Sequence, residues 1–394
     1  MSLLPEQVTV LTAIDNAVVA ALGGRQRPHL GASMIGKECE RALWYSFHWA
    51  ITGNKFSGRM LRLFDRGQEE EARFIRWLEM AGVTVSAVDP RTGKQYTHSD
   101  PDCGNHFGGS MDGACVGLPD APKTWHVQEF KTHSDKSFKE VCKKGVLGSK
   151  PEHYAQMQVY MHWSQMDRAL YMAVNKNDDT LYVERIAYDK DTVLTLLARA
   201  KRVITEKEPP VGISERVDWY QCKFCDYHAI CHGRVEEATG LIGPQALPDV
   251  NCRTCLHSTA ELTPDSEGKA RWSCTRWNSD IPVEGQYQGC DEHRYIPALI
   301  PWAAVTDATE VDGVVADVLY ELKGETQQPF VNGTSSPCTE APFYSSAELQ
   351  QLHPLLIGDY NIRALREQMG ATVINETESV FVDGFGDDDE GIPF

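Results

Sequence analysis

No run of apolar residues in this 394-residue chain approaches the roughly 20 that a membrane-spanning helix needs. The first 25 residues also lack the basic start of a secretory signal, with Glu6 and Asp15 acidic and Arg25 the first base. That segment reads as an amphipathic helix, and the protein is expected to be cytoplasmic with no membrane partner. Basic residues are scarce: 38 Lys and Arg stand against 56 Asp and Glu, a net charge of −18. Such a balance argues against a polyanionic partner. Its distribution removes much of that objection. From Pro301 onward there are 17 acids and 3 bases, whereas the first 300 residues carry 39 acids and 35 bases. A near-neutral body can still present a basic groove.

What the chain has in excess is cysteine, 12 residues. A reducing compartment disfavours disulfides, so clustered cysteines point to metal. Cys222, Cys225 and Cys231 form one cluster, and Cys252, Cys255, Cys274 and Cys290 a second. Cys103, Cys115, Cys142 and Cys338 are scattered and read as structural.

Periodicity predicts helices over 5–24, from Ser33 through Phe47, over 58–80, 151–163 and 191–205. Strands are expected over 108–116, 125–132, 168–174 and 181–188. This is a helical lead-in followed by an α/β core. Pro209-Pro210 and the stretch from Gly243 to Pro248 punctuate the chain. The expected division is a catalytic domain over 1–240, a cysteine-rich module over 245–300, a small appendage over 301–380 and a disordered acidic tail over 381–394.

Three motifs follow in order. Gly109-Ser110-Met111-Asp112-Gly113 places an acid at a strand end beside a glycine turn. Gln128-Glu129-Phe130-Lys131 is a strand whose alternation puts Glu129 and Lys131 on one face. Gln156 and Tyr160 are four apart, on one face of a helix. Hard carboxylate oxygens suit magnesium or manganese, and such an ion polarises a phosphate and acidifies a bound water. Lys131 can orient or deprotonate that water and offset charge in the transition state. Each motif alone is common in proteins; the order and company carry the signal.

Together they resemble the RecB-type branch of the PD-(D/E)XK nucleases, including viral recombination exonucleases of the lambda and YqaJ type. The resemblance covers residues 30–235. It implies a restriction-endonuclease-like mixed-sheet core, metal-dependent DNA cleavage, and a catalytic set of Glu71, Asp112, Glu129, Lys131, Gln156 and Tyr160. Glu71, Asp112 and Glu129 would be the metal ligands. Glu71 lies in Arg66-Gly67-Gln68-Glu69-Glu70-Glu71-Ala72, which matches the helix motif of the viral enzymes in part. A solvated helix face is the other reading of that acidic run.

Cys222, Cys225 and Cys231 are one thiolate short of a four-ligand site, and Cys39 lies far upstream. This arrangement resembles the iron–sulfur nucleases AddB and the CRISPR-associated exonucleases. It implies a [4Fe–4S] cluster on Cys39, Cys222, Cys225 and Cys231, with zinc as the alternative. Cys252, Cys255, Cys274 and Cys290 read as zinc ligands within a C-terminal metal-binding module, with His257 and His293 as nearby substitutes and buried free thiols as the other reading. Arg271, Trp272, Arg276 and Trp277 could stack on and pair with nucleic acid, or pack.

The chain ends in Asp387-Asp388-Asp389-Glu390-Gly391-Ile392-Pro393-Phe394. This resembles the acidic tip of bacterial single-stranded DNA-binding proteins, with Glu390-Gly391 as an insertion. The resemblance implies docking of Asp387, Asp388, Asp389, Ile392, Pro393 and Phe394 on host proteins that recognise that tip. A solubilising tail is the alternative. The whole reads as a DNA exonuclease, viral in origin, acting in recombination, repair or genome processing. A non-catalytic adaptor for host repair factors and a structure-selective endonuclease stand as alternatives.

Overall fold

The computed structural model describes residues 5–24, 26–52, 56–233, 243, 245–323, 328–334, 341–352 and 357. The acidic tip at 387–394 lies outside the described residues. Helices α1 (Pro5–Leu22), α2 (Glu40–Phe47), α3 (Gly58–Met80), α4 (Asp135–Ser149), α5 (Pro151–Ser164) and α6 (Lys190–Thr205) account for most of the helical structure. Strands β1 (Leu30–Gly31), β2 (Thr84–Ser86), β3 (Tyr96–Ser99), β4 (Phe107–Met111), β5 (Ala114–Val116), β6 (His126–His133), β7 (Arg168–Asn175) and β8 (Leu181–Ala187) are interspersed with them. The described residues fall into two compact units, one of 5–37 and 56–201, the other of 38–52 and 202–357.

In the first unit, β6 is the middle strand of a five-stranded sheet ordered β2-β5-β6-β7-β8. Its pairing with β7 is parallel and the other pairings are antiparallel, so the sheet is mixed. Strands buried on both faces read as continuous apolar runs, and β6 departs from that by carrying Gln128, Glu129 and Lys131. Helix α3 covers one face. Phe74 stacks on Phe130 with ring centroids 4.9 Å apart, within a core that includes Leu78, Val83, Cys115, Leu170 and Met172. Burying each such ring contributes about 2–3 kcal/mol. The amphipathic α3 starts at Ser57, whose hydroxyl accepts from the Met60 N–H at 3.3 Å, a normal N-cap.

Helix α5 also packs on β6 and is buried along most of its length, from His153 to Met161. Strand β4 belongs to a separate three-stranded sheet, β1-β4-β3. The single strand expected over 108–116 is therefore two strands in two sheets, and Asp112-Gly113 is the point of passage. Gly113 has φ +143, and a Cβ there would stand 2.8 Å from Gln128 Oε1 and 2.9 Å from Ser86 O. Only glycine fits that crossing without strain. Helix α4 has no counterpart among the expected elements. Gly145 interrupts it with φ 69, which breaks the apolar period a helix is read from.

The second unit contains β9 (Ser258–Glu261), β10 (Arg271–Cys274) and β11 (Ser279–Ile281) in one antiparallel sheet. Strands β12 (Ala303–Val311), β13 (Val314–Leu322), β14 (Pro329–Asn332) and β15 (Phe343–Tyr344) form another in that order. Arg253 is buried in this unit. The guanidinium lies 3.6 Å from the Trp49 ring centroid and 4.7 Å from that of Trp272. It donates to Gln286 Oε1 at 2.9 and 2.7 Å and to Phe47 O at 2.9 Å. Arg294, fully buried, donates to Ala316 O at 2.6 Å and joins the cysteine-bearing segment to β13. Among the described residues, no helix is long and apolar enough to cross a membrane.

Candidate active site

Asp112 leaves β4 at the crossing between sheets, and its side chain turns back onto β6. Oδ2 accepts a hydrogen bond from the Phe130 N–H at 2.9 Å. Phe130 separates Glu129 from Lys131, and its ring faces the α3 core. Strand alternation therefore directs Glu129 and Lys131 to the opposite face. The Glu129 side chain is fully buried and forms an ion pair with Lys131, itself largely buried. Apart from that pair, neither Glu129 oxygen has a hydrogen-bond partner.

The electrostatics follow from this burial. Desolvation pushes the Glu129 carboxyl up to about 8, against the pull of Lys131 and with a further push from Asp112. Asp112 is raised by desolvation as well, with Lys131 and the Phe130 N–H opposing. Glu71, on α3 and half-buried, is raised to about 7 by burial and then by Asp112. Burial lowers the Lys131 ammonium, but Glu129 and Asp112 outweigh it and leave its pKa raised. Among the described residues one cation, Lys131, thus serves three carboxylates.

Within the run Glu69-Glu70-Glu71 the three acids part company. Glu69 is exposed, and Glu70 is buried and bound to Arg73 at 2.7 and 2.9 Å. Glu71 is the one that interacts with Asp112. On α5, the Tyr160 hydroxyl donates to Ser110 O at 2.7 Å, two residues before Asp112. A Cβ at Gly109 would stand 2.5 Å from that hydroxyl, so the glycine admits the tyrosine. Gln156 is buried beside it, with Oε1 lacking a partner. Tyr160 acts on the backbone that presents Asp112. Among the described residues, no group of three or more His, Cys, Asp or Glu side chains is gathered closely enough to hold a metal ion.

No family model matches the chain, and no curated protein does. Among solved structures, LHK-Exo in complex with dAMP aligns at 19% identity and TM-score 0.33, over 47% of this chain and 88% of that one. The alkaline exonuclease LHK-Exo from Laribacter hongkongensis aligns at 18% identity and TM-score 0.32, over 48% and 90%. SSO0001 aligns at 14% identity and TM-score 0.33, over 59% and 98%. At those scores the likeness says nothing of this chain's reaction.

Both cysteine groups lie in the second unit. Cys39, Cys222, Cys225 and Cys231 line one pocket, together with Arg41 and Tyr45. Arg41 donates to Cys231 Sγ at 3.3 Å and to Pro210 O at 2.7 Å. Cys252, Cys255, Cys274 and Cys290 line a second pocket, along with His257 and His293. His293 Nε2 is 3.0 Å from Asn251 O. The residues flanking Cys274 divide: Trp272 is buried under Arg253, whereas Trp277 is exposed. Arg271 is paired with Asp280 at 2.7 Å and Arg276 with Glu292 at 3.0 Å. Sequence reasoning did not single out His133, Tyr171 and His153, which lie beside Glu129 and Lys131. The one available signal was that β6 continues the polar alternation from Glu129 and Lys131 to His133.

Proposed function

We propose that the chain is a metal-dependent deoxyribonuclease with a restriction-endonuclease-like core in its first unit, acting as an exonuclease. The observation that carries this is the Asp112 carboxylate held on the Phe130 N–H between Glu129 and Lys131. It puts two desolvated acids and an ammonium on one face of the central strand β6, with Glu71 alongside. The donor set is hard oxygen, which suits magnesium or manganese. Among the described residues the two buried Glu129 oxygens have only Lys131 as a partner, a deficit that a divalent cation would fill once Asp112, Glu129 and Glu71, which are not gathered closely enough in this structure, close on it. Bound there, the ion would supply phosphate polarisation and a more acidic water.

The side chains have separable tasks. Lys131, with its raised pKa, keeps its proton at neutral pH. It therefore serves by holding a phosphate oxygen or an attacking water through Nζ–H bonds, and its charge offsets the transition state. Glu71 supplies the third carboxylate of the set. Tyr160 holds the β4 backbone through Ser110 O, and Gln156 fills the space beside it. We read Cys39, Cys222, Cys225 and Cys231 as a structural [4Fe–4S] site. What supports that reading is donor chemistry, four cysteine sulfurs lining one pocket, although no three of them are gathered closely enough in this structure to hold a metal. The second pocket is read as structural zinc, on the same grounds of donor chemistry.

Anaerobically purified protein with magnesium or manganese should degrade end-labelled linear DNA and spare closed circles. Cleavage of circles would favour the endonuclease, and no cleavage with either ion would leave the adaptor reading. The 385–394 segment is assigned to host proteins that recognise the tip of single-stranded DNA-binding protein. A synthetic peptide of those residues should bind such a protein and be displaced by the authentic tip; binding without displacement overturns that assignment.

A further inference from the structure

Beside Glu129 and Lys131 lies a polar cluster that the proposed reaction leaves unused. His133 follows Lys131 by two residues on β6, so it occupies the same face of the strand. Its Nε2 is 2.7 Å from the Tyr171 hydroxyl. The same hydroxyl is 3.0 Å from His153 Nδ1 on α5. Ser137 Oγ, on α4, is 3.1 Å from His133 Nδ1. Tyr171 sits on β7 directly across from Glu129 in the parallel register. All three rings are buried, with exposures of 6% for His133, 0% for Tyr171 and 4% for His153.

The chemistry of this bridge is constrained. A hydroxyl carries one proton, so of the two imidazole nitrogens it meets, one accepts from it and the other donates to it. The tautomers of His133 and His153 are therefore coupled. Burial, followed by Lys150, Lys131 and Lys176, pushes His133 down to about 3. Burial, Lys131, His133 and Lys150 hold His153 well below its ordinary value. Both shifts favour the uncharged imidazole beside the Glu129–Lys131 pair. The bridge spans the strand that carries Glu129 and Lys131 and the helix that carries Gln156 and Tyr160.

We propose that His133, Tyr171 and His153 are positioning residues for the proposed hydrolysis, a hydrogen-bonded bridge that fixes β6 against α5 and so holds Lys131 and Glu129 in register with Tyr160. This rests on the nuclease reading. A small misplacement of reacting groups costs roughly a hundredfold in rate, whereas a bridge that only packs would cost stability.

Tyr171→Phe keeps the ring and removes the hydroxyl. It should lower kcat by roughly ten- to a hundredfold with KM for DNA nearly unchanged. His153→Asn, which keeps a polar atom near the Nδ1 position, should recover more turnover than His153→Leu. Nitrogen-15-labelled histidine NMR supplies a readout apart from activity. Wild type should show a slowly exchanging imidazole N–H resonance, absent in Tyr171→Phe. If Tyr171→Phe turns over like wild type, or loses rate only in step with its melting temperature, the positioning role is wrong. A wild type that shows the resonance but cleaves nothing would sink the nuclease reading and reduce the bridge to packing.

Discussion

The Asp112 carboxylate accepts a hydrogen bond from the Phe130 N–H at 2.9 Å, and this one contact sets the spacing of the candidate site. It locks the acid at the crossing between two sheets to the strand that carries Glu129 and Lys131. Asp112→Asn keeps an acceptor for that N–H and removes the charge. Cleavage should fall by at least about a hundredfold, the scale for losing one preorganised electrostatic group. The fold should survive, because a desolvated charge is removed along with the function. Cleavage rate and thermal melting measured on the same preparation check both halves; near-normal cleavage would remove Asp112 from the site.

The raised carboxyls make a signed forecast for stability. Glu129 rises from 4.5 to about 8 and Glu71 from 4.5 to about 7, chiefly by burial. The folded, metal-free chain therefore holds protons that the unfolded chain releases above pH 4.5. The stabilisation is fully present below pH 4.5 and is lost as pH rises through 7 to 8. Urea unfolding in the presence of a chelator should show stability declining across that window, and Glu129→Gln should flatten the decline. Magnesium binding should release protons, with a measured heat that depends on the buffer's ionisation enthalpy. A flat pH profile for the wild type would mean the carboxyls are not desolvated as described.

Arg253 tests the second unit. Its guanidinium is buried and is held by Trp49, Trp272, Phe47 O and Gln286. Removing a partner from a buried charge costs more than replacing the charge itself. Gln286→Ala should destabilise this unit by about 2–4 kcal/mol, and Arg253→Met by less. Arg253→Lys should also be harmful, because an ammonium cannot reproduce the planar stack or the two bonds to Gln286. Calorimetric unfolding checks the order of the three variants.

The legible part of this molecule was local. Glu129 and Lys131 share a strand face by alternation, and Gln156 and Tyr160 share a helix face by spacing, so both pairs could be read from the residues alone. The Phe130 N–H that receives Asp112 could not, because it is a backbone group on a strand 18 residues away. The residues alone could not choose among Glu69, Glu70 and Glu71 either; the resemblance named Glu71, and it is the one that interacts with Asp112. Cys39 groups with the chain beyond 202, and a boundary drawn along the sequence cannot represent a unit assembled from separate segments. The Tyr171 bridge escaped for the same reason: its members come from β6, β7, α4 and α5.

The two cysteine pockets make the last prediction, and they separate cleanly because they share no ligand. Thiolate-ligated iron–sulfur clusters are coloured, and zinc is not. Anaerobic protein should be brown and carry about four irons together with about one zinc per chain, as those cofactors require. Cys39→Ser should lose the iron and the colour yet keep the zinc, whereas Cys274→Ser should do the reverse. Arg41 sharpens the first half. Its guanidinium donates to Cys231 Sγ at 3.3 Å and to Pro210 O at 2.7 Å, so it ties that sulfur to the flanking loop. Arg41→Gln should therefore hasten cluster loss in air without changing the zinc content. Elemental analysis with absorption spectra of the four proteins decides it. Zinc in both pockets would keep their structural role and remove iron from the first, and metal in neither would return all eight cysteines to the class of buried free thiols.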